Sequence, residues 1–171
     1  MHADTGVLLI GQAGVYRVAS ELMLRGAGVY LPACDREGID LITNAGARVQ
    51  VKTARLGRCR QLEKRRGYHF RFSCSQRGRK HDYVRIARKY SEEVDFIVIW
   101  GIDEDRFWIV PAAIFDNRQC LILFEGVSAP LSVKMTGPHA PFAAHVYAHE
   151  NRWDLLLPKQ QVVTPPLAAV S

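Results

Sequence analysis

Three polar residues set close together by strand geometry, Asp40, Gln50 and Lys52, mark where this chain could do chemistry. In Arg48-Val49-Gln50-Val51-Lys52-Thr53 the two-residue period of a strand puts Val49, Val51 and Thr53 on one face. Gln50 and Lys52 then share the other face. In the preceding stretch Ile39 and Leu41 point one way and Asp40 the opposite way. A turn at Asn44-Ala45-Gly46 folds the two stretches into a hairpin, and pairing across it brings Asp40 near Gln50 and Lys52. Burying an acid, an amide and an ammonium on an apolar sheet is costly unless something compensates them. A divalent cation is one such compensation. Hydrolysis of a phosphodiester asks for oxygen ligands to a hard cation such as Mg²⁺ or Mn²⁺, here Asp40, the Gln50 amide oxygen and the backbone carbonyl of Val51. A lysine alongside positions the attacking water or stabilises charge on the phosphate. The plainer alternative is a hairpin-edge acid paired with Lys52.

The surrounding elements are those that such a site needs. Val15, Val18, Ala19 and Leu22 recur at helical spacing, which predicts a helix over 11–25 ended by Gly26 and Gly28. Val29 to Leu31 reads as a short strand, followed by the hairpin 38–53. The stretches 55–67 and 75–80 read as basic loops, 68–73 as a strand and 82–90 as a short helix. Asp95 to Trp100 is almost continuously apolar, as expected of a buried central strand. A turn at 103–105 leads to a strand over 106–110, Cys120 to Phe124 predicts another, and 143–157 a closing helix. This order indicates one α/β domain over 1–157 with a mixed central β-sheet flanked by helices, followed by a tail over 158–171 with little to bury.

Charge is distributed unevenly. From Arg48 to Tyr90 there are fifteen basic residues against Glu63 and Asp82, a net +13, while the whole chain carries +6. The remainder is therefore acidic, and a basic segment on an acidic scaffold is the footprint of a polyanion binder. Arg55, Arg58, Arg60, Lys64, Arg65, Arg66, Arg77, Arg79 and Lys80 are the candidate phosphate contacts, because guanidinium and ammonium groups pair with phosphate oxygens. A solvated basic loop is the bland alternative. The four cysteines form no CxxC pair and no disulfide spacing, which suits reduced thiols and a cytoplasmic location. No stretch reads as a transmembrane span or a cleaved leader, so no membrane partner is expected.

The helix bearing a Glu and ending in Gly, the strand with Gly-Ile-Asp-Leu and the strand with Val-Gln-Val-Lys together resemble the PD-(D/E)XK nuclease superfamily. The nearest likeness is to the branch whose third motif residue is Gln, which includes a group I intron homing endonuclease and lies near archaeal Holliday junction resolvases. The run Asp-Phe-Ile-Val-Ile-Trp-Gly, turn, Arg-Phe-Trp-Ile-Val-Pro is similar to the second half of that core. The resemblance implies a restriction-endonuclease-like fold and a metal-dependent DNA endonuclease. It also implies that Glu21 joins Asp40 and Gln50 at the metal, with Lys52 as the catalytic cation. Ile39 stands where the motif has Pro, and Gln50 removes one negative charge, which leaves open a catalytically inactive DNA-binding or assembly module. An RNA-binding protein is a third reading. Cutting two strands calls for two sites, hence a homodimer or homotetramer. Glu21 also fits an ion-pair ladder with Arg17 and Arg25, four residues to either side. His145, His149 and Glu150 lack the order of a zinc motif, and Gly11 to Gly14 lacks the ending of a phosphate-binding loop.

Overall fold

The computed structural model describes residues 3–33, 38–58, 65–72, 74–77, 83–86, 89–129 and 140–158. Helix α1 (Ala3–Leu24) leads to β1 (Val29–Tyr30) and to the hairpin of β2 (Leu41–Thr43) and β3 (Arg48–Ala54). Gly26, at φ 86°, closes α1 with a paired cap: Ala27 N donates to Leu22 O at 3.0 Å and Gly26 N to Met23 O at 3.0 Å. A residue with a side chain would be strained in that left-handed conformation. The hairpin turn is equally specified. Gly46 sits at φ 84° and donates to Thr43 O at 2.8 Å.

After β4 (Leu56–Arg58), β5 (Arg66–Arg71), β6 (Cys74–Arg77) and β7 (Tyr83–Ile86), the chain enters the central strand β8 (Phe96–Gly101). Strand β9 (Arg106–Pro111), β10 (Cys120–Phe124) and the short helix α2 (Ala140–Tyr147) complete the described elements. The main sheet runs β1-β2-β3-β8-β9, with β3 and β8 parallel and the other neighbours antiparallel. A second sheet runs β10-β5-β4, and β6 pairs with β7. This is the mixed α/β architecture expected.

Two apolar clusters cover the main sheet's two faces. On one, α1 packs Val15, Val18, Ala19 and Leu22 onto Val49, Val51, Val98, Phe107 and Ile109. Gly14 lets the helix approach closely, since a side chain there would collide with Thr53. On the other, Ile97, Ile99, Trp108 and Val110 meet Tyr68, Phe70, Phe72, Tyr90 and α2. Gly101 serves that face: a Cβ there would fall 2.8 Å from the Tyr68 ring. The glycine thus gives room for Tyr68, whose hydroxyl accepts from Glu104 N at 3.0 Å.

Several expectations need correction. The stretch 55–67 holds β4 and the start of β5, and 75–80 opens within β6. The short helix expected over 82–90 is instead strand β7 followed by a 3-10 turn, Tyr90–Glu92. Tyr83-Val84-Arg85-Ile86 is aromatic and β-branched, and a strand partner in β6 outweighs the weak helical spacing. The closing helix is shorter, with a separate 3-10 turn at Trp153–Leu155. Against the expectation that no segment reaches spanning length, the 19 residues Gly6–Leu24 are long and apolar enough to cross a membrane by length and composition. In this fold that helix buries one face on the sheet and leaves Val7, Leu8 and Leu9 exposed. The tail beyond Pro158 lies outside the described residues.

Candidate active site

The β2–β3 hairpin positions the polar residues by register. Leu41 pairs with Val49 and Ile42 with Arg48, so one step further Asp40 comes opposite Gln50. Asp40 N donates to Val49 O at 2.9 Å, and the Asp40 carboxylate accepts from Val51 N at 2.6 Å. The acid therefore rests on the backbone between Gln50 and Lys52. Strand alternation turns the carbonyl of Val51 toward the same side as its N–H.

Parallel pairing with β8 sets Gln50 beside Ile97 and Lys52 beside Ile99, both in the cluster opposite α1. Gln50 is 6 % exposed, and its Oε1 is buried without a hydrogen-bond partner among the described atoms. A bare amide oxygen in an apolar cluster costs roughly 1–3 kcal/mol. Lys52 extends its Nζ over the ring of Tyr90, 6.0 Å from the centroid. Tyr90 was not among the candidates read from the sequence. It lies 38 positions from Lys52, and no local spacing signals the contact.

Glu21 is placed differently. Its carboxylate accepts from Arg17 at 2.8 Å and from Arg25 at 2.7 Å. Arg17 also binds Asp105 at 2.7 Å and lies over Phe107, while Arg25 lies over Trp153. The Arg17 hydrogen bond above all, with Arg25 adding, holds the Glu21 carboxyl below the usual range against the opposing effect of burial. All these partners sit on the α1 face. The structure thus joins Asp40 to the strand of Gln50 and Lys52, but Glu21 to the ladder that was its structural alternative. Among the described residues no three His, Cys, Asp or Glu groups cluster to hold a metal. The histidine pair is likewise local: the His145 and His149 rings stack at 5.1 Å, and His149 Nδ1 lies 2.9 Å from His145 O.

The donor set still fits a hard cation. A carboxylate, an amide oxygen without a partner and a strand carbonyl are all oxygen donors. The buried Gln50 Oε1 is the atom that such an ion would satisfy.

Of the candidate phosphate contacts, Arg55, Arg58, Arg65 and Arg66 are exposed on and beside β4 and β5. Arg66 is paired with Glu125 at 3.0 Å, and Arg65 lies over Phe124. Arg77 ends β6. Arg60, Lys64, Arg79 and Lys80 lie outside the described residues.

Sheet order, hairpin and flanking helix define a restriction-endonuclease-like core. The family described as PD-(D/E)XK endonuclease matches residues 8–125, and the chain belongs to that family. Its fold is similar to a solved structure titled as the bacterial homing endonuclease I-Ssp6803I, with a TM-score of 0.67 at 20 % identity over 87 % of this chain and 91 % of that one. No curated protein matches the sequence.

Proposed function

We propose that this chain is a metal-dependent DNA endonuclease whose cation is held by Asp40, Gln50 and the Val51 carbonyl, with Lys52 beside it. The observation that carries the reading is the buried Gln50 Oε1 without a partner among the described atoms, on the residue that faces Asp40 across the hairpin. When bound, Mg²⁺ or Mn²⁺ supplies Lewis-acid charge next to the scissile phosphate. The chain's own groups do the rest. Asp40 brings the negative charge that favours a cation, and its bond to Val51 N fixes its position. Lys52 donates to a phosphoryl oxygen or to the attacking water, offsetting charge that develops in the transition state. Glu21, engaged by two arginines on the α1 face, is left out of this assignment.

DNA as the substrate is supported by the family and by exposed Arg55, Arg58, Arg65 and Arg66 on and beside β4 and β5. Binding should weaken steeply with salt, and each phosphate contact removed should lower the slope by about 1. Hydrolysis of a duplex on both strands further calls for a dimer or a tetramer built from dimers.

The test is nicking of supercoiled plasmid with Mg²⁺ or Mn²⁺, comparing the parent with Asp40→Ala and Lys52→Ala. Metal-dependent cutting lost in both variants is expected. Cutting that survives both would remove the assignment. Salt-sensitive binding with no cutting under either metal would favour the inactive binding module.

A further inference from the structure

We infer that Tyr90 is the positioning residue for Lys52, holding its ammonium by the face of the ring, an inference that rests on the role proposed for Lys52. The lysine stem is flexible, with four carbons to order before the charge has a fixed place. Tyr90 supplies that place. Its ring lies under Nζ at 6.0 Å from the centroid, within the range at which an aromatic face attracts an ammonium. The ring itself is fixed. Tyr90 is 2 % exposed, its hydroxyl donates to Phe72 O at 2.6 Å, and its ring makes a T-shaped contact with Phe72, centroids 5.9 Å and planes 84° apart. The next residue is tied as well, since Ser91 N and Oγ donate to the Asp116 carboxylate at 3.0 and 2.5 Å. A tyrosine held at its hydroxyl, by a neighbouring ring and through its backbone neighbour is a rigid platform. Strand β3 brings Lys52 to that platform through its pairing with Ile99, which belongs to the same cluster as Tyr90.

The attraction depends on the electron density of the ring face rather than on the hydroxyl, and that separates positioning from packing. Replacing Tyr90 by Phe removes the hydroxyl bond to Phe72 O, so the Phe variant is the baseline, and phenylalanines carrying one, two and three ring fluorines then weaken the face stepwise at constant anchoring. In the full-length protein with Mg²⁺ and plasmid, kcat should fall stepwise along the series, reaching on the order of tenfold at three fluorines. KM for DNA should stay within about twofold, since uniform binding is untouched. A second readout needs no metal and no cutting. The Lys52 ε-methylene protons should show an upfield ring-current shift in the Phe variant that Tyr90→Leu abolishes. Thermal melts of each variant show whether it is folded, and the fluorinated series carries the test if Tyr90→Leu is not. A flat kcat series, or an unshifted ε-methylene in the Phe variant, would overturn the inference even with Lys52→Ala inactive. If Lys52→Ala cuts like the parent, the catalytic reading itself fails, while the ring-current result still reports the contact.

Discussion

Glu21 and Gln50 stand on opposite faces of the main sheet, and the chain satisfies them to different degrees. On the α1 face, Glu21 has a guanidinium on each carboxylate oxygen, and both arginines lie over aromatic rings. On the opposite face, Gln50 offers a buried carbonyl oxygen with no partner among the described atoms. That face also shows what a satisfied polar group looks like there. Arg106, over the Trp108 ring, makes two bonds to Glu150 at 2.7 and 2.8 Å and further bonds to Val127 O and Ser128 Oγ. A polar group whose partners are built in holds the fold together. Buried atoms without a partner occur on both faces, Thr53 Oγ1 and Trp153 Nε1 on the α1 side among them, and Gln50 Oε1 is set apart by facing Asp40 across the hairpin.

The largest effect should come from removing the leftover oxygen. Gln50→Leu is expected to lower metal-dependent cutting by on the order of a hundredfold or more. The same substitution should leave metal-free stability unchanged or slightly raised, because it removes an unsatisfied buried group. Cutting assays and denaturant unfolding on one preparation read both signs. A clear loss of stability without metal would mean that Gln50 is structural and would erase its contrast with Glu21.

Arg106→Met should act in the reverse sense. The Arg106 and Glu150 side chains are 12 and 21 % exposed, so removing the cation leaves a partly buried carboxylate without its main partner. Unfolding should cost about 2–3 kcal/mol less, while cutting per folded molecule stays near the parent value.

Glu21→Gln should matter least. Ladder pairs at this spacing contribute about 0.3–0.5 kcal/mol each, and activity should change by less than about twofold if Glu21 is structural. The pH dependence has a definite sign. Arg17 depresses the Glu21 carboxyl, and the same arginine depresses that of Asp105. Stability from these groups is present above the ordinary carboxylate range and is lost as pH falls through their lowered folded values. The difference in melting temperature between parent and Glu21→Gln should therefore close on acidification below about pH 4. A large loss of metal-dependent cutting in this variant would instead return Glu21 to the metal site.

Much of this was legible in the linear chain where local rules dominate. The helix ended by Gly26, the turn at Gly46, the alternation through Val49, Val51 and Thr53, the apolar run of β8 and the span of β10 follow from backbone freedom and side-chain period. The grouping of Asp40 with Gln50 and Lys52 is of that kind, because a short hairpin fixes register by itself. The basic stretch after β3 was harder. Dense arginines hide the strand signal of β4, and β6 and β7 exist through pairing with each other rather than through strong propensity.

The chain alone thus determined which groups stand together along one strand and its hairpin partner, since contacts across a tight turn depend on local geometry. Only the tertiary structure decided which face each group occupies and who meets it there. Parallel pairing of β3 with β8, segments more than forty residues apart, sets Gln50 and Lys52 on the face opposite α1, where Lys52 meets Tyr90, and leaves Glu21 on the α1 face. Such assignments depend on non-local packing, which places side chains by the shape of the whole core rather than by spacing along the chain.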